Sequence, residues 1–214
     1  MTKGIVFDLD GTLIDSLAIT IEAFNRGITH FGLPQKSPQE ILSYFGPGEG
    51  EIFEKIVGKK DAAQAYQVAR AYMDAHVGKI PLHDGVAELL GKIRAQEIPM
   101  SIFTGRGQET TEMILNYHQI KNQFVSVITS DHVEQPKPSP EGLFKVLEKM
   151  NMNPSDILFV GDSPVDMQAA HVSGANGVAA LWDIMAERQG LELWKPKHWA
   201  KKPAEVWEIV KQMK

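Results

Sequence analysis

Two pairs of aspartates at short spacings are the residues best suited to chemistry in this sequence. Asp8 and Asp10 lie two positions apart, and Asp162 and Asp166 lie four positions apart. Carboxylates that meet at one place repel each other unless a cation holds them, and Mg²⁺ prefers oxygen ligands, often including one or two carboxylates. Each pair also has a structural explanation, since an Asp-Gly turn overlaps the first pair and a Ser-Pro helix start overlaps the second.

Thr104 and Lys137 offer groups that could bind a phosphate. Thr104 is followed by Gly105 and Arg106, and a hydroxyl with backbone N–H groups at the start of a helix forms a phosphate cradle. Lys137 lies between two prolines, which restrict the backbone and would aim its ammonium group. Taken alone, Thr104 could equally cap the helix that follows, and an isolated lysine is most often a solvated surface charge.

Apolar runs rich in Val, Ile and Phe predict five strands, at residues 4–8, 98–103, 124–129, 157–161 and 177–181. Most are separated by segments with helical spacing, which predicts an α/β fold with a Rossmann-like parallel sheet. The two aspartate pairs, Thr104 and Lys137 each follow a different predicted strand, and ligands bind at the carboxyl edge of such sheets. The order acid pair, hydroxyl, lysine, acid pair is therefore better explained by one shared site than by four unrelated turns.

The interval between the first two strands is too long for one crossover connection. Its later part, 84–96, has apolar residues on one helical face and predicts a crossover helix. The earlier part contains only helical patterns, interrupted by a glycine-rich stretch at 46–50. We therefore predict a Rossmann-like core of residues 1–14 and 80–214 and a small all-helical cap of residues 15–79, inserted after strand one.

The four motifs together resemble those of the haloacid dehalogenase-like phosphatase superfamily, in the branch whose helical cap follows the first strand. Within that branch the sequence is most similar to phosphoglycolate phosphatases, and the resemblance covers nearly the whole chain. It implies that Asp8 is the nucleophile, which forms an aspartyl-phosphate, and that Asp10 is the general acid and base. It also implies that Thr104 binds the phosphoryl group and that Lys137 neutralises its charge.

The same resemblance implies Mg²⁺ as the cofactor. The Asp8 carboxylate, the backbone carbonyl of Asp10 and the Asp162 carboxylate would hold the ion, with Asp166 supporting it nearby. A carboxylate that attacks a phosphate dianion must overcome like-charge repulsion, which a metal ion and a lysine beside it would reduce.

Five residues are candidates for binding the rest of the substrate: Gly105, Arg106, Gly46, Pro47 and Glu49. Many relatives carry Thr-Asn at the second motif, whereas Gly105 and Arg106 follow the threonine here. Arg106 either points at a second anionic group of the substrate or is exposed. The glycine-rich stretch has little steric bulk and could approach a ligand closely, although a surface loop explains it equally well.

Three other assignments share some of these motifs. A response-regulator receiver domain also uses acidic residues, Thr and Lys. In a receiver domain, however, the lysine comes last along the chain, whereas here an acid pair follows Lys137. A true haloacid dehalogenase lacks an acid at the position of Asp10. A β-phosphoglucomutase-like phosphoryl transfer enzyme fits all four motifs and remains the alternative to a phosphatase.

Composition narrows the choice of partners. The chain has 214 residues, no cysteine and a formal net charge of −5, which excludes cysteine chemistry and argues against nucleic acid. The densest basic run, 195–202, is interpreted as a solvated surface segment. No apolar run approaches the roughly 20 residues of a membrane span. We expect a cytoplasmic protein that acts on a small phosphorylated metabolite; its oligomeric state stays open.

Overall fold

A single parallel sheet forms the centre of the protein. The computed structural model describes residues 4–186 and 188–212, and within them every neighbouring pair of strands is parallel. In chain order the strands are β1 (Gly4–Phe7), β2 (Met100–Phe103), β3 (Phe124–Ile128), β4 (Ile157–Gly161), β5 (Asn176–Ala180) and β6 (His198–Ala200). Across the sheet their order is β3-β2-β1-β4-β5-β6. The predicted Rossmann-like sheet and its five strands are confirmed.

The edge strand β6 corrects the interpretation of the basic run 195–202 as a solvated surface segment. Residues of β6 pair in parallel with β5, and Ala200 is fully buried. A strand of three residues is too short for alternation or a continuous apolar run to be recognised in the sequence.

The strand ends of β1, β2 and β4 meet at one edge of the sheet. Phe7, the last residue of β1, pairs with Ile102 of β2 and with Val160 of β4. Ile5 and Phe7 belong to one buried apolar cluster and Val6 to another, because successive side chains of a strand point to opposite faces. Both faces are covered, which explains the continuous apolar sequences of these strands.

Helices connect the strands and build an insertion between β1 and β2. The insertion contains α1 (Leu17–Thr29), α2 (Pro38–Leu42), α3 (Glu49–Val57) and α4 (Ala62–His76). The remaining helices are α5 (Val86–Ala95), α6 (Gln108–Tyr117), α7 (Glu141–Met150), α8 (Pro164–Ser173), α9 (Arg188–Glu192) and α10 (Pro203–Gln212). The crossover helix predicted over 84–96 is confirmed as α5. Throughout the described residues, each helix is too short or too polar to cross a lipid bilayer.

The helices of the insertion pack closely against one another. Helices α1 and α3 both pack against α4. Gly27 of α1 allows a close approach, because an added Cβ would lie 2.6 Å from the carbonyl oxygen of Ala65. Phe24 stacks on Phe53 of α3 with ring centroids 4.8 Å apart. The wholly helical character predicted for this part of the chain is confirmed.

The chain enters and leaves the insertion along two neighbouring segments. Ile14 and Leu82 form an antiparallel bridge. The Asp15 N–H donates to the Pro81 carbonyl over 3.0 Å, and the His83 N–H donates to the Leu13 carbonyl over 3.0 Å. The base of the insertion therefore lies only a few residues from Asp10.

Candidate active site

The carboxyl edge of the central strands gathers four of the predicted catalytic and metal-binding residues. Asp8 follows β1 directly, Thr104 follows β2, and Asp162 follows β4, whereas Lys137 comes from the loop between β3 and α7. Asp8, Thr104 and Lys137 are buried, and all four residues line one cavity. Residues that are distant in sequence meet here because parallel strands end at a common edge.

Three carboxylates form an acidic cluster in this cavity. Asp8, Asp162 and Asp166 each present an oxygen atom, and these atoms lie within 4.8 Å of one another. The Thr12 hydroxyl donates to Asp162 Oδ1 over 2.9 Å. Gly11 has a φ of +73°, and a Cβ at this position would collide with the Asp162 carboxylate. The turn after β1 therefore requires glycine for its backbone conformation and for the space it leaves.

Lys137 links two members of the acidic cluster. Its ammonium nitrogen lies 2.7 Å from Asp8 Oδ1 and 2.6 Å from Asp166 Oδ1. The same nitrogen lies 4.8 Å from the ring centroid of Phe103 and 5.4 Å from that of Phe159. The charges of Asp166 and Asp8 outweigh the effect of burial and raise the pKa of Lys137, so the side chain is a fixed cation.

Asp166 is held from both sides. Its Oδ1 contacts Lys137, and its Oδ2 accepts a hydrogen bond from the Ser163 N–H over 3.1 Å and another from the Ser163 hydroxyl. Ser163 is the N-cap of α8, so the sequence interpretation of this Ser-Pro pair as a helix start is correct. Asp166 caps this helix and also fixes the position of Lys137.

Crowding makes these carboxylates weaker acids. Burial, with the charges of Asp166 and Asp10, raises the pKa of Asp8 to about 7 against the opposing effect of Lys137. Burial and the charges of Asp8 and Asp166 also raise the pKa of Asp162 well above its usual value. Both shifts come first from burial and then from neighbouring negative charge that one lysine does not balance. Hard oxygen ligands with unbalanced charge fit a divalent metal ion.

The Asp10 side chain turns away from this cluster and pairs with Arg106. Arg106 Nη2 lies 2.6 Å from Asp10 Oδ1, and Nε lies 3.0 Å from Oδ2. The Ser16 hydroxyl also donates to Asp10. Burial favours the neutral form of Asp10, but the charge and hydrogen bonds of Arg106 outweigh it and hold the pKa below its usual value. Asp10 is therefore a carboxylate in this arrangement.

Arg106 also contacts the helical insertion. Its Nη2 donates to the Thr20 hydroxyl of α1 over 2.9 Å, and its Nη1 lies 3.7 Å from Glu49 Oε1 of α3. The Arg106 side chain is only 5% exposed. The alternative that Arg106 is an exposed surface residue is therefore wrong, and its guanidinium already has protein partners on several sides.

Two carboxylates occupy the start of α6. Glu49 Oε2 accepts from the Gly107 N–H over 2.6 Å, and its Oε1 accepts from the Thr110 hydroxyl over 2.8 Å. Asp131 accepts from the Gln108 N–H over 2.6 Å. These N–H groups are not free for a phosphate, so the cradle expected here is reduced to Thr104 and the backbone of Gly105.

The cavity has a volume of about 410 Å³ and lies between the sheet edge and the insertion. All five residues expected to bind the rest of the substrate line it: Gly105, Arg106, Gly46, Pro47 and Glu49. Such a volume is near the lower end of the range for small-molecule pockets, about 300–1,000 Å³. The cavity is therefore suited to a small metabolite.

Asp183 lines the same cavity, although it is not among the site residues predicted from the sequence. It accepts from the Met185 N–H over 2.7 Å and lies 3.4 Å from the His83 ring. Burial favours its neutral form, but the adjacent His83 ring and the hydrogen bond from the Met185 N–H lower its pKa overall. Asp183 stands three positions after β5, so the rule that placed the other acids at strand ends could have found it.

Comparisons with known proteins agree with this geometry. The sequence profile of the family described as haloacid dehalogenase-like hydrolase matches residues 5–180. Pyrophosphatase PpaX of Bacillus mycoides (strain KBAB4) is 29% identical over 213 residues, covering 98% of this chain and 97% of the relative.

Two solved structures have the same fold over their whole length. A predicted phosphoglycolate phosphatase from Haemophilus somnus 129pt superimposes with a TM-score of 0.85 at 23% identity, covering 98% of both chains. The haloacid dehalogenase-like family protein SP0104 from Streptococcus pneumoniae superimposes with a TM-score of 0.79 at 25% identity, again over 98% of both chains. The chain therefore belongs to the haloacid dehalogenase-like hydrolase family, among its phosphatases with a helical insertion after the first strand.

Proposed function

We propose that the protein is a Mg²⁺-dependent phosphatase that hydrolyses a small phosphate monoester through an aspartyl-phosphate on Asp8. The observation that carries this proposal is the contact between Asp8 and Lys137 within the acidic cluster. A buried carboxylate beside a fixed ammonium group can approach a phosphate dianion without the full cost of like-charge repulsion. The relatives named above suggest phosphoglycolate or pyrophosphate as possible substrates of such a site.

In the first step a carboxylate oxygen of Asp8 attacks the phosphorus, and the bond from phosphorus to the leaving oxygen breaks. Lys137 and the Thr104 hydroxyl hold the phosphoryl oxygens. Asp10 gives a proton to the leaving oxygen, which requires that its carboxyl group first separates from Arg106. Proton transfer by a positioned group contributes about 10²–10⁴-fold to the rate.

In the second step water attacks the phosphorus of the aspartyl-phosphate. Asp10, now a carboxylate, takes a proton from that water. Inorganic phosphate leaves, and the Asp8 carboxylate is restored. The pairing of Asp10 with Arg106 favours the ionised form that this step needs.

The metal ion would be held by the carboxylates of Asp8 and Asp162 and by the backbone carbonyl of Asp10. When bound, Mg²⁺ supplies positive charge that stabilises the phosphoryl oxygens. Asp166 is already engaged by Lys137 and Ser163, which suits a supporting role. Residues 15–79 would form a cap domain and residues 1–14 with 80–214 the core, a division supported by the paired segments at the base of the insertion.

The proposal is tested by looking for the covalent intermediate with acetyl phosphate, whose leaving group needs no proton. With Mg²⁺, Asp10→Asn should form the intermediate but hydrolyse it slowly, so intact-mass spectrometry should detect a phosphoryl adduct. The double variant Asp8→Asn/Asp10→Asn should show none. Asp84→Asn, which changes an exposed aspartate outside the cavity, should turn over like the wild type.

Three outcomes would count against this function. An adduct on the double variant would place the nucleophile elsewhere. Full wild-type turnover in excess chelator would exclude the metal requirement. Transfer of the phosphoryl group to a sugar phosphate in preference to water would favour the β-phosphoglucomutase-like alternative.

A further inference from the structure

The cavity has two chemically different walls. The wall formed by the sheet edge carries the acidic cluster and Lys137. The opposite wall is mostly apolar, and its polar side chains, those of Thr20 and Glu49, already have hydrogen-bond partners in the protein. Its apolar residues, called the apolar wall below, are Leu17, Phe24, Leu42, Phe45 and Ile52 of the insertion, together with Met185. The leaving group of a phosphate ester bound beside Asp8 would share the cavity with this apolar wall.

The positive charges in the cavity are already used. Among the described residues that line it, the lysines and arginines are Lys137 and Arg106. Lys137 contacts two carboxylates, those of Asp8 and Asp166. Arg106 also faces two carboxylates, those of Asp10 and Glu49, and donates a further hydrogen bond to a threonine hydroxyl.

The balance of charge leaves no cation for a second anionic group. Lys137 and a divalent metal ion serve the phosphoryl group that is transferred. Even after Asp10 has separated from Arg106 to transfer its proton, a carboxylate or second phosphate on the leaving group would have to displace Glu49 from Arg106. That displacement would leave a carboxylate without its partner in a largely buried site, which is unfavourable. An uncharged leaving group leaves the pair of Arg106 and Glu49 intact, and it adds no negative charge to a cavity that six carboxylates already line.

Two side chains of the apolar wall are still partly exposed to solvent. Phe45 is 43% exposed and Met185 is 47% exposed, although both line the cavity. The Phe45 ring lies against Phe24 with centroids 5.9 Å apart, so it is supported in place. A ligand that covers these side chains gains free energy from the removal of apolar surface from water.

We infer that the substrate is the phosphate monoester of an uncharged, largely apolar alcohol, and that the insertion selects it through the apolar wall. This inference rests on the proposed phosphatase function. It differs from what the names of the relatives suggest, because phosphoglycolate and pyrophosphate both carry a second anion on the leaving group.

The first test compares esters of equal size and different charge. Phosphoglycolate and isobutyl phosphate have leaving groups with the same number of heavy atoms, but only the first is a carboxylate. With Mg²⁺, kcat/KM for isobutyl phosphate should exceed that for phosphoglycolate by about tenfold or more. Along the series methyl, ethyl, propyl and butyl phosphate, kcat/KM should rise by up to about fourfold per methylene, as apolar burial predicts.

The second test changes the apolar wall. Phe45→Ala should lower kcat/KM for butyl phosphate while leaving methyl phosphate nearly unchanged. Phe144→Ala is the matched control, because Phe144 is a similarly exposed phenylalanine on α7 that lies outside the cavity. Phe45→Lys adds a cation to the wall and should raise the ratio of phosphoglycolate to isobutyl phosphate turnover by about tenfold or more.

The outcomes separate this inference from the proposed function. Equal turnover of the matched esters, or a preference for phosphoglycolate or pyrophosphate, would overturn the apolar leaving group and leave the phosphatase assignment standing. A flat alkyl series, or equal effects of the two alanine variants, would show that the wall does not select the substrate. No turnover of any ester with Mg²⁺ and no adduct on Asp8 would overturn the proposed function itself.

Discussion

At the scale of single residues, the site contains two cations, and each of them is shared by two carboxylates. Lys137 joins Asp8 to Asp166, and Arg106 joins Asp10 to Glu49. Removal of one partner from such a buried group leaves an uncompensated charge, which costs more than the pair contributes. The supporting carboxylates are therefore expected to matter for activity even though they do not take part in bond making.

The variant Asp166→Asn tests whether the carboxylate that supports Lys137 matters for activity. Asparagine has the same shape and can still accept from Ser163, but it has no charge to hold the ammonium group. We expect kcat to fall by about 10–100-fold, the range seen for supporting residues of metal sites, with a smaller change in KM. Formation of the phosphoryl adduct should slow in parallel, as measured by rapid quench and intact mass.

Asp156→Asn is the matched control. Asp156 occupies the same N3 position in the capping box of Asn153, on a turn away from the cavity. Its replacement should leave kcat unchanged. Equal losses in both variants would mean that the effect of Asp166 comes from helix capping and not from Lys137.

At the scale of elements, the start of α6 joins the insertion to the sheet. The N-terminus of a helix carries partial positive charge and unpaired N–H groups. Here Glu49, the first residue of α3, accepts from the Gly107 N–H and the Thr110 hydroxyl. A side chain of the insertion thus caps a helix of the core, directly after the segment that carries Thr104 and Arg106.

Glu49→Gln should loosen this connection. Glutamine has one carbonyl oxygen and no charge, so it cannot replace both acceptors. A lost cap of this kind costs about 0.5–2 kcal/mol, which corresponds to hydrogen exchange about twofold to thirtyfold faster at the first amides of α6. We expect kcat/KM to fall as well, because the insertion closes the cavity.

Glu51→Gln on the same helix is the control, since Glu51 is exposed and does not line the cavity. This variant should have the same hydrogen exchange rates at the first amides of α6 and the same kcat/KM as the wild type. Unchanged exchange at α6 in Glu49→Gln would show that the hydrogen bonds of Glu49 do not hold the insertion in place.

Positions along strands could be predicted from the sequence, whereas the directions of side chains could not. Asp8, Thr104 and Asp162 follow buried apolar strands, so their convergence follows from the rules of parallel sheets. The pairing of Arg106 with Asp10, which lie ninety-six positions apart, depends on how the insertion packs over the sheet. Local patterns carry no information about that packing, and the three residues of β6 are too few to show a period.

At the scale of the whole molecule, the insertion and the sheet share an apolar core. Phe24 and Phe53 of the insertion belong to the same buried cluster as Phe7 and Ile102 of the central strands. The acidic cluster lies beside this core at the sheet edge. Its repulsion therefore acts against the folded state as a whole, and a ligand that relieves it should stabilise the protein against unfolding.

Mg²⁺ is expected to raise the melting temperature. At a concentration about 100 times its Kd, a ligand that binds only the folded state adds about 2.7 kcal/mol of stability. For a chain of this size that corresponds to roughly 5–11 °C. The measurement is thermal unfolding in chelator and in increasing Mg²⁺, without substrate, so it does not depend on catalysis.

Asp162→Asn separates metal binding from ordinary structural support. The variant removes one of three crowded carboxylates but keeps an acceptor for the Thr12 hydroxyl. Because repulsion falls, its melting temperature in chelator should equal or exceed that of the wild type, and the gain with Mg²⁺ should disappear. The control variant Asp84→Asn should keep the full rise in melting temperature with Mg²⁺. If Asp162→Asn melted lower than the wild type in chelator and still responded to Mg²⁺, the acidic cluster would be a structural feature of the sheet edge and the metal would bind elsewhere.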